Sequence, residues 1–199
     1  MAVVYDVSMS VLKKVGIFAG AFDPIHNGHI EVANSALSQA NLDSVYFMIE
    51  GSPWGDKQPV SLVDRENMVD LAIFGQDKLS RLTATEDRFD ISTTLKSLES
   101  RFADYEMSFI FGADVFIKMN SISWPNLNRL LEHRIIIFQR HTIDSDDILP
   151  HAKALNTAVT ILPSKHSKYS STEVRVSRGD KSIWVPKKVA EYMKINSLY

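Results

Sequence analysis

Six short apolar runs alternate with amphipathic segments along this chain, and this alternation restricts its fold more than any other sequence feature. The runs cover residues 15–20, 45–50, 81–85, 107–112, 134–140 and 157–162. Helical spacing or capping residues predict helices over 28–40, 61–74, 91–102, 114–119, 125–132, from Ser171 onwards and over 186–195. Several runs are continuously apolar, which is typical of parallel strands covered on both faces. The predicted fold class is therefore α/β, a Rossmann-like doubly wound parallel sheet.

Polar segments that contain or border glycine follow four of the predicted strands. They cover residues 20–29, 51–57, 112–114 and 163–172. In a doubly wound sheet, the ligand lies in the crevice at the carboxyl ends of the strands. The topology therefore predicts that these four segments, distant in sequence, meet at one site.

The composition is that of an ordinary globular protein. The 199 residues are 45% hydrophobic and carry a net charge of −2, so nothing favours binding to nucleic acid or to an anionic membrane. No apolar stretch approaches the ~20 residues that span a bilayer. The absence of cysteine excludes disulfides and thiolate metal sites, and we expect a cytoplasmic protein. We also expect a flexible leader over residues 1–14 and a single domain over 15–199, with homo-oligomerisation left open.

The segment FDPIHNGH, residues 22–29, follows the first predicted strand and suits phosphate binding. Backbone amides at a helix start near Gly28 point outwards and bind anions. The imidazoles of His26 and His29, three residues apart, would face one spot and donate hydrogen bonds to phosphate oxygens. Two alternatives remain: a zinc site made by Asp23, His26 and His29, and a helix cap with two surface histidines.

A second polar cluster, YSSTEVR, covers residues 169–175 at the start of another predicted helix. Its hydroxyl groups and free amides offer hydrogen bonds to phosphates, and Arg175, one turn further on, can fork onto phosphate oxygens. The alternative is a capping box with Ser-x-x-Glu spacing. The presence of the FDPIHNGH segment elsewhere in the chain favours the phosphate role.

A third segment, FIFGADVF, covers residues 109–116 and ends a strand with Gly112 and Asp114. The glycine would let a nucleotide approach the backbone, and the carboxylate would bind ribose hydroxyls. An aspartate after a strand is alternatively only a helix cap. Further along, Trp124 suits either stacking on a substrate ring or a place in the core.

These motifs resemble those of a known family. GAFDPIHNGH resembles the HxGH signature of the nucleotidyltransferase superfamily, and YSSTEVR is similar to its ISSTxxR element. The Gly-Ala-Asp segment, the loop SPWGDK, the helix DRENMVDLAI and the end VPKKVAEYMKINSLY resemble one branch, the nicotinate mononucleotide adenylyltransferases. The resemblance covers about residues 15–199 and implies the fold of the HxGH nucleotidyltransferases.

The resemblance implies adenylyl transfer from ATP, accompanied by Mg²⁺, to nicotinate mononucleotide, which gives deamido-NAD and pyrophosphate. It assigns catalytic roles to His26, His29 and Arg175. It assigns ATP binding to Gly20, Phe22, Asp23, Gly28, Gly112, Asp114, Ser170, Ser171 and Thr172. The residues implied on the acceptor side are Lys57, Arg65, Thr94 and Trp124. No protein ligand of the metal is assigned.

Three departures from the branch leave the acceptor open. The loop carries Trp54 where the family usually has a Pro-His pair before Lys57, Asp64 replaces a histidine, and Thr93 replaces an acid in the segment ISTTL. The alternatives are another enzyme of the superfamily, which would use nicotinamide mononucleotide or phosphopantetheine, and a nucleotide-binding module without catalysis. Retention of both histidines and of Arg175 favours an enzyme.

Overall fold

In the computed structural model, six parallel strands form one sheet with helices on both faces. The structure describes residues 12–52, 58–82, 89–120, 124–139, 143–163, 170–177 and 183–199. The strands are β1 (Lys13–Gly20), β2 (Ser44–Ile49), β3 (Leu79–Leu82), β4 (Tyr105–Gly112), β5 (Arg134–Phe138) and β6 (Val159–Leu162). The described helices are α1 (Asn27–Gln39), α2 (Leu62–Ile73), α3 (Thr94–Arg101), α4 (Ala113–Met119), α5 (Leu127–Leu131), α6 (Ser145–Ala154), α7 (Ser171–Val176) and α8 (Lys187–Ile195). The strand order β3-β2-β1-β4-β5-β6 confirms the predicted doubly wound α/β fold.

Alternate side chains of each strand enter two separate cores. In β1, Phe18 packs with α1, α2, α7 and α8, whereas Ile17 packs with α3, α4, α5 and α6 on the opposite face. Both faces of the sheet are therefore closed, which explains why its strands are continuously apolar. No helix in the described ranges is long and apolar enough to cross a membrane.

In a doubly wound sheet the ligand-binding crevice lies where the order of the strands reverses. Strands β2 and β3 are added on one side of β1 and strands β4 to β6 on the other, so here the crevice lies between β1 and β4. Helix α1 follows β1 onto one face, and α4 follows β4 onto the other. Phe18 pairs with Ile110, so Gly20 and Gly112, each two residues further, end the two neighbouring strands at the same edge. A ligand can approach the backbone closely there.

The start of β1 differs from the sequence prediction. The strand begins at Lys13, which pairs with Tyr105 of β4. Lys13 and Lys14 therefore belong to the sheet rather than to the leader expected over residues 1–14, of which residues 1–11 lie outside the described part. The backbone pairing with β4 decides the boundary, although both side chains are charged.

Two further boundaries were displaced by local contacts. Strand β3 covers Leu79–Leu82 and begins two residues before the predicted run 81–85, because Leu79 enters the first core and Leu82 the second from this register. Residues 83–85 of that prediction lie outside the described residues. Helix α3 begins at Thr94 rather than at Ile91. The carboxylate of Asp90 accepts hydrogen bonds from the backbone N–H groups of Ser92 and Thr93, just before α3, and holds the chain in a turn there.

The sequence predicts no helix between the last two strands, yet α6 occupies Ser145–Ala154. Pro150 lies inside it and obscures the helical pattern. Its start carries a reciprocal capping box. The Asp144 carboxylate accepts from the N–H of Asp146 (2.8 Å) and of Asp147 (3.2 Å), and the Asp147 carboxylate accepts from the Asp144 N–H (3.0 Å).

We expect Asp144→Ala to lower the free energy of unfolding by about 1 kcal/mol, because it removes the acceptor for two N–H groups at the start of α6. Asp144→Asn is the matched control, since asparagine caps helices about as well as aspartate. Urea denaturation followed by circular dichroism measures both variants. Equal stability of Asp144→Ala and the wild type would contradict this cap.

Candidate active site

The two histidines of the first motif lie against each other at the start of α1. His26 is the N-cap residue, only 6% exposed, and its ring stacks on that of His29 at 3.6 Å between centroids. The backbone N–H of His26 donates to Nδ1 of His29 over 3.2 Å. A ring nitrogen that accepts a hydrogen bond carries no proton, so the assigned tautomer of His29 has its proton on Nε2. The bond at Nδ1 and the stacking on His26 thus hold the His29 ring in place, and its donation to a phosphate stays a prediction.

Aromatic packing fixes the His29 ring further. The rings of Phe18 and Phe22 meet it edge-on, with centroids 5.9 and 5.1 Å away. Phe22 is buried in the first core, where its ring also contacts Phe47. Its backbone adopts a φ of 47°, which is rare for a bulky residue. Phe22 therefore supports the His29 ring and the loop after β1, and a contact between Phe22 and ATP stays a prediction.

The second motif contacts the first directly. Nη1 of Arg175 donates to the Asp23 carbonyl over 2.6 Å and lies 3.5 Å from Oδ2 of the Asp23 carboxylate. The hydroxyl of Ser171 donates to the Pro24 carbonyl over 3.0 Å. Two segments nearly 150 residues apart therefore meet at the carboxyl edge of the sheet, as the topology predicts.

The three hydroxyl residues at the start of α7 have different partners. Ser170 accepts from the Glu173 N–H (3.1 Å) and donates to the Glu173 carboxylate (2.8 Å), which is the Ser-x-x-Glu cap named above as an alternative. Thr172 accepts from Nη2 of Arg175 over 3.2 Å. The cap and the contact with the first motif coexist, and phosphate binding by Ser170, Ser171 and Thr172 stays a prediction.

The glycines and the aspartate assigned to nucleotide binding lie around this edge. Gly28 is buried in the first turn of α1. A Cβ on Gly20 would lie 3.2 Å from the Phe22 ring, so this position is nearly closed to a side chain. Gly112 ends β4 as the N-cap of α4, and Asp114 is half-buried in the first turn of that helix. Their ribose and phosphate contacts stay predictions.

Arg65 is the acceptor-side candidate with the most definite surroundings. It is 1% exposed, and its guanidinium donates to four backbone carbonyls: Val60 (3.1 Å), Ala21 (3.0 Å), Glu50 (2.5 Å) and Gly51 (2.7 Å). Burial lowers the pKa of Arg65, and the Asp23 carboxylate opposes that shift. The guanidinium therefore joins the loops that follow β1 and β2 to the segment that precedes α2.

The other acceptor-side candidates have weaker assignments. Thr94 is 7% exposed, and its hydroxyl accepts from the Asp90 N–H over 3.0 Å. Trp124 is partly buried and packs against the second core, in line with the core alternative. Lys57 and Trp54 lie outside the described residues. Acceptor contacts by these residues stay predictions.

Sequence reasoning missed the residue that contacts Asp23 most closely. The phenol of Tyr199 donates to Oδ1 of Asp23, which also accepts from the Val60 N–H over 3.2 Å. The two residues are 176 positions apart. The sequence gives no local signal for this contact, and only the resemblance of the segment ending in Tyr199 to its family counterpart pointed to this residue.

The geometry gives no support to the zinc alternative. Within the described ranges, no group of three or more histidine, aspartate or glutamate residues is placed to hold a metal ion. The Asp23 carboxylate is occupied by Tyr199, Val60 and Arg175, and Nδ1 of His29 is occupied by a backbone N–H. Two of the three proposed zinc ligands therefore already have hydrogen-bond partners within the protein.

The fold and the joined motifs define the class of the nucleotidyltransferases. Residues 17–177 match the family model described as cytidylyltransferase-like. A nicotinic acid mononucleotide adenylyltransferase of Plasmodium falciparum complexed with NaAD shares the fold. It superposes with a TM-score of 0.78 at 20% identity over 94% of this chain and 97% of that one. The same protein complexed with APC gives a TM-score of 0.75, also at 20% identity over the same shares of the two chains.

Relatives in sequence narrow the class to one family. A "Probable nicotinate-nucleotide adenylyltransferase" of Clostridium botulinum is 32% identical over 94% of this chain and 98% of its own length. A protein of the same name from Neisseria meningitidis serogroup A is 30% identical over 94% of this chain and 99% of its own. The chain belongs to the nicotinate-nucleotide adenylyltransferase family, within the cytidylyltransferase-like proteins, which confirms the resemblance found in the sequence.

Proposed function

We propose that this protein transfers the adenylyl group of MgATP to nicotinate mononucleotide and releases deamido-NAD and pyrophosphate. The observation that carries the proposal is the joining of the two motifs by Arg175–Asp23 and Ser171–Pro24 hydrogen bonds at the carboxyl edge of the sheet. Family membership supports the same reaction. Mg²⁺ arrives with the triphosphate, since it keeps most of its waters and needs few protein ligands.

The reaction is a direct displacement at the α-phosphorus of ATP. An oxygen of the acceptor phosphate forms the new bond to that phosphorus, opposite the leaving group. The bond to the oxygen that bridges the α- and β-phosphorus breaks, and its electron pair leaves with pyrophosphate. The acceptor phosphate is already an anion, so no general base is required, and catalysis consists of positioning and charge stabilisation.

The side chains around the crevice suit these two tasks. His29 offers Nε2–H from a ring that packing holds in place, and His26 lies stacked on it. Both would donate to phosphate oxygens as negative charge builds in the transition state. Arg175 would hold the β- and γ-phosphates together with the hydroxyls of α7. Gly112 and Asp114 at the end of β4 would contact the ATP ribose.

Local contacts account for two of the departures that leave the acceptor open. Asp64 accepts from the Ser61 hydroxyl (2.6 Å) and from the Tyr192 hydroxyl (2.9 Å), which couples the start of α2 to α8. At Thr93, the carboxylate of Asp90 accepts hydrogen bonds from the N–H groups of Ser92 and Thr93 in the turn before α3. The Thr93 N–H holds the pKa of Asp90 below its ordinary value, so this carboxylate stays ionised. Asp64 and the turn beside Thr93 thus have local structural roles, and the nicotinate acceptor stays a proposal.

A turnover assay tests the proposal. With MgATP, we expect rapid product formation from nicotinate mononucleotide and much slower formation from nicotinamide mononucleotide or phosphopantetheine, each offered separately. Mass spectrometry identifies the product as deamido-NAD, and pyrophosphate release confirms the leaving group. Faster turnover of another acceptor would replace the nicotinate assignment and keep adenylyl transfer. ATP binding without turnover of any acceptor would favour the nucleotide-binding module.

Three accompanying predictions concern the protein as a whole. We propose that residues 15–199 form a single domain, which is supported by the single sheet to which β1 and β6 both belong. A cytoplasmic location and the homo-oligomeric state stay predictions from the sequence. Gel filtration with light scattering measures the oligomeric state directly.

A further inference from the structure

The carboxylate of Asp23 is a buried charge with three partners from distant parts of the chain. Asp23 is 6% exposed. Its Oδ1 accepts from the Tyr199 phenol and from the Val60 N–H, and its Oδ2 lies 3.5 Å from Nη1 of Arg175. A buried carboxylate is costly unless hydrogen bonds and a counter-charge compensate it. The three partners therefore determine together where this carboxylate and the arginine beside it lie.

The Tyr199 phenol stays protonated and donates a hydrogen bond to the Asp23 carboxylate. Its pKa is raised above the ordinary value, first because the phenol is buried and then because it lies against the Asp23 carboxylate. The hydroxyl consequently keeps its proton at neutral pH and can donate to Asp23. Tyr199 lies in the segment after α8, and its hydroxyl donates to Oδ1 of Asp23 from there.

Arg175 is held by Asp23 in a way that leaves part of its guanidinium available. Nη1 donates to the Asp23 carbonyl, and Nη2 donates to Thr172. The contact with the carboxylate is a single approach at 3.5 Å rather than a two-point fork. Among the residues that the structure describes, none accepts a hydrogen bond from Nε–H of Arg175. A fork onto both carboxylate oxygens would be stronger and would turn the guanidinium away from a phosphate.

We infer that Tyr199 is a positioning residue for nucleotide binding: its hydroxyl occupies Oδ1 of Asp23 and thereby prevents Arg175 from forming a two-point ion pair with that carboxylate. The inference rests on the proposed function only in taking Arg175 as a ligand of the ATP phosphates. Without the phenol hydroxyl, Oδ1 of Asp23 accepts a hydrogen bond from Arg175 instead. Fewer N–H groups of Arg175 then remain to bind the triphosphate.

Tyr199→Phe tests this role, with Tyr192→Phe as the matched control. Tyr192 also donates to an aspartate, Asp64, but it does so between α8 and α2. We expect Tyr199→Phe to raise the KM for ATP about tenfold, since the free energy of one hydrogen bond to a charged group corresponds to about a tenfold change in affinity. The KM for nicotinate mononucleotide should be unchanged. Tyr192→Phe should leave both KM values unchanged, although it too loses a hydrogen bond to a carboxylate.

A double-mutant cycle with Asp23→Asn shows whether Tyr199 acts through the carboxylate. The asparagine side chain carries no charge for Arg175 to pair with, so Tyr199→Phe should no longer alter ATP affinity in that background. Titration calorimetry with ATP and Mg²⁺ gives this affinity without turnover. It therefore tests Tyr199 even if the wild type adenylylates none of the offered acceptors, an outcome that would count against the proposed function alone.

Two results would overturn the inference. One is an unchanged affinity for ATP in Tyr199→Phe. The other is an equal change in Tyr199→Phe and Tyr192→Phe, which would mean that any lost tyrosine–aspartate hydrogen bond loosens the fold and the site with it. Melting temperatures of the two variants, measured without ligand, distinguish loss of stability from loss of nucleotide affinity.

Discussion

His26→Ala is expected to lower kcat for adenylyl transfer by about 10²–10³, the usual effect of removing one donor that acts in the transition state. His26 lies at the end of the loop after β1 and stacks on His29. A donor that binds the developing charge more strongly than the ground state affects kcat, whereas KM for ATP should change much less. Steady-state kinetics with MgATP and nicotinate mononucleotide measure both constants.

Because His26 is also the N-cap residue of α1, its loss has a structural component that must be separated. His26→Asn serves this purpose, since asparagine is a preferred N-cap residue and lacks the imidazole. We expect His26→Asn to fold like the wild type and to be as slow as His26→Ala. His151→Ala is a second control, because His151 lies in α6 beside Asn120 and should keep full turnover.

Near wild-type kcat in a folded His26→Ala protein would remove this histidine from the mechanism. Full activity in His26→Asn with low activity in His26→Ala would assign the effect to the helix cap instead. In either case His29 would become the principal imidazole donor, because its Nε2–H is fixed by the bond at Nδ1.

The sequence predicts the sheet well because each strand is recognisable by itself. A run such as residues 107–112 is buried on both faces, so its composition alone identifies β4. The prediction fails where a contact from elsewhere decides the structure. Lys13 joins β1 through backbone pairing with β4 despite its charge, and α6 forms despite Pro150 because a capping box stabilises its start.

For the site, the sequence predicts which segments meet but not how their side chains pair. His26, His29 and Arg175 are identifiable because local patterns of glycine, proline and hydroxyl residues surround them. The bond from Tyr199 to Asp23 and the four bonds made by Arg65 depend on loops that approach one another only in three dimensions. Nothing in the neighbourhood of Tyr199 or Arg65 in the sequence specifies those partners.

Arg65→Met should give the largest loss of stability among the substitutions considered, about 3–5 kcal/mol. The variant removes a buried cation and leaves the carbonyls of Ala21, Glu50, Gly51 and Val60 without their donor. Methionine fills much of the volume, so lost hydrogen bonds rather than a cavity dominate the change. For a chain of this size the melting temperature should fall by roughly 10 °C, which differential scanning calorimetry measures.

Arg129→Met is the matched control, since the Arg129 side chain is 44% exposed and pairs with Glu99 at the surface. This variant should change the free energy of unfolding by about 1 kcal/mol or less.

Arg65→Lys separates the effect of the charge from that of the guanidinium geometry. A lysine ammonium retains the charge but cannot reach four carbonyls arranged around a planar fork, so we expect intermediate stability. Kinetics well below the melting temperature then test the acceptor role predicted for Arg65. A higher KM for nicotinate mononucleotide with unchanged stability would mean that Arg65 binds the acceptor, whereas lost stability would mean that it holds the three loops around the site together.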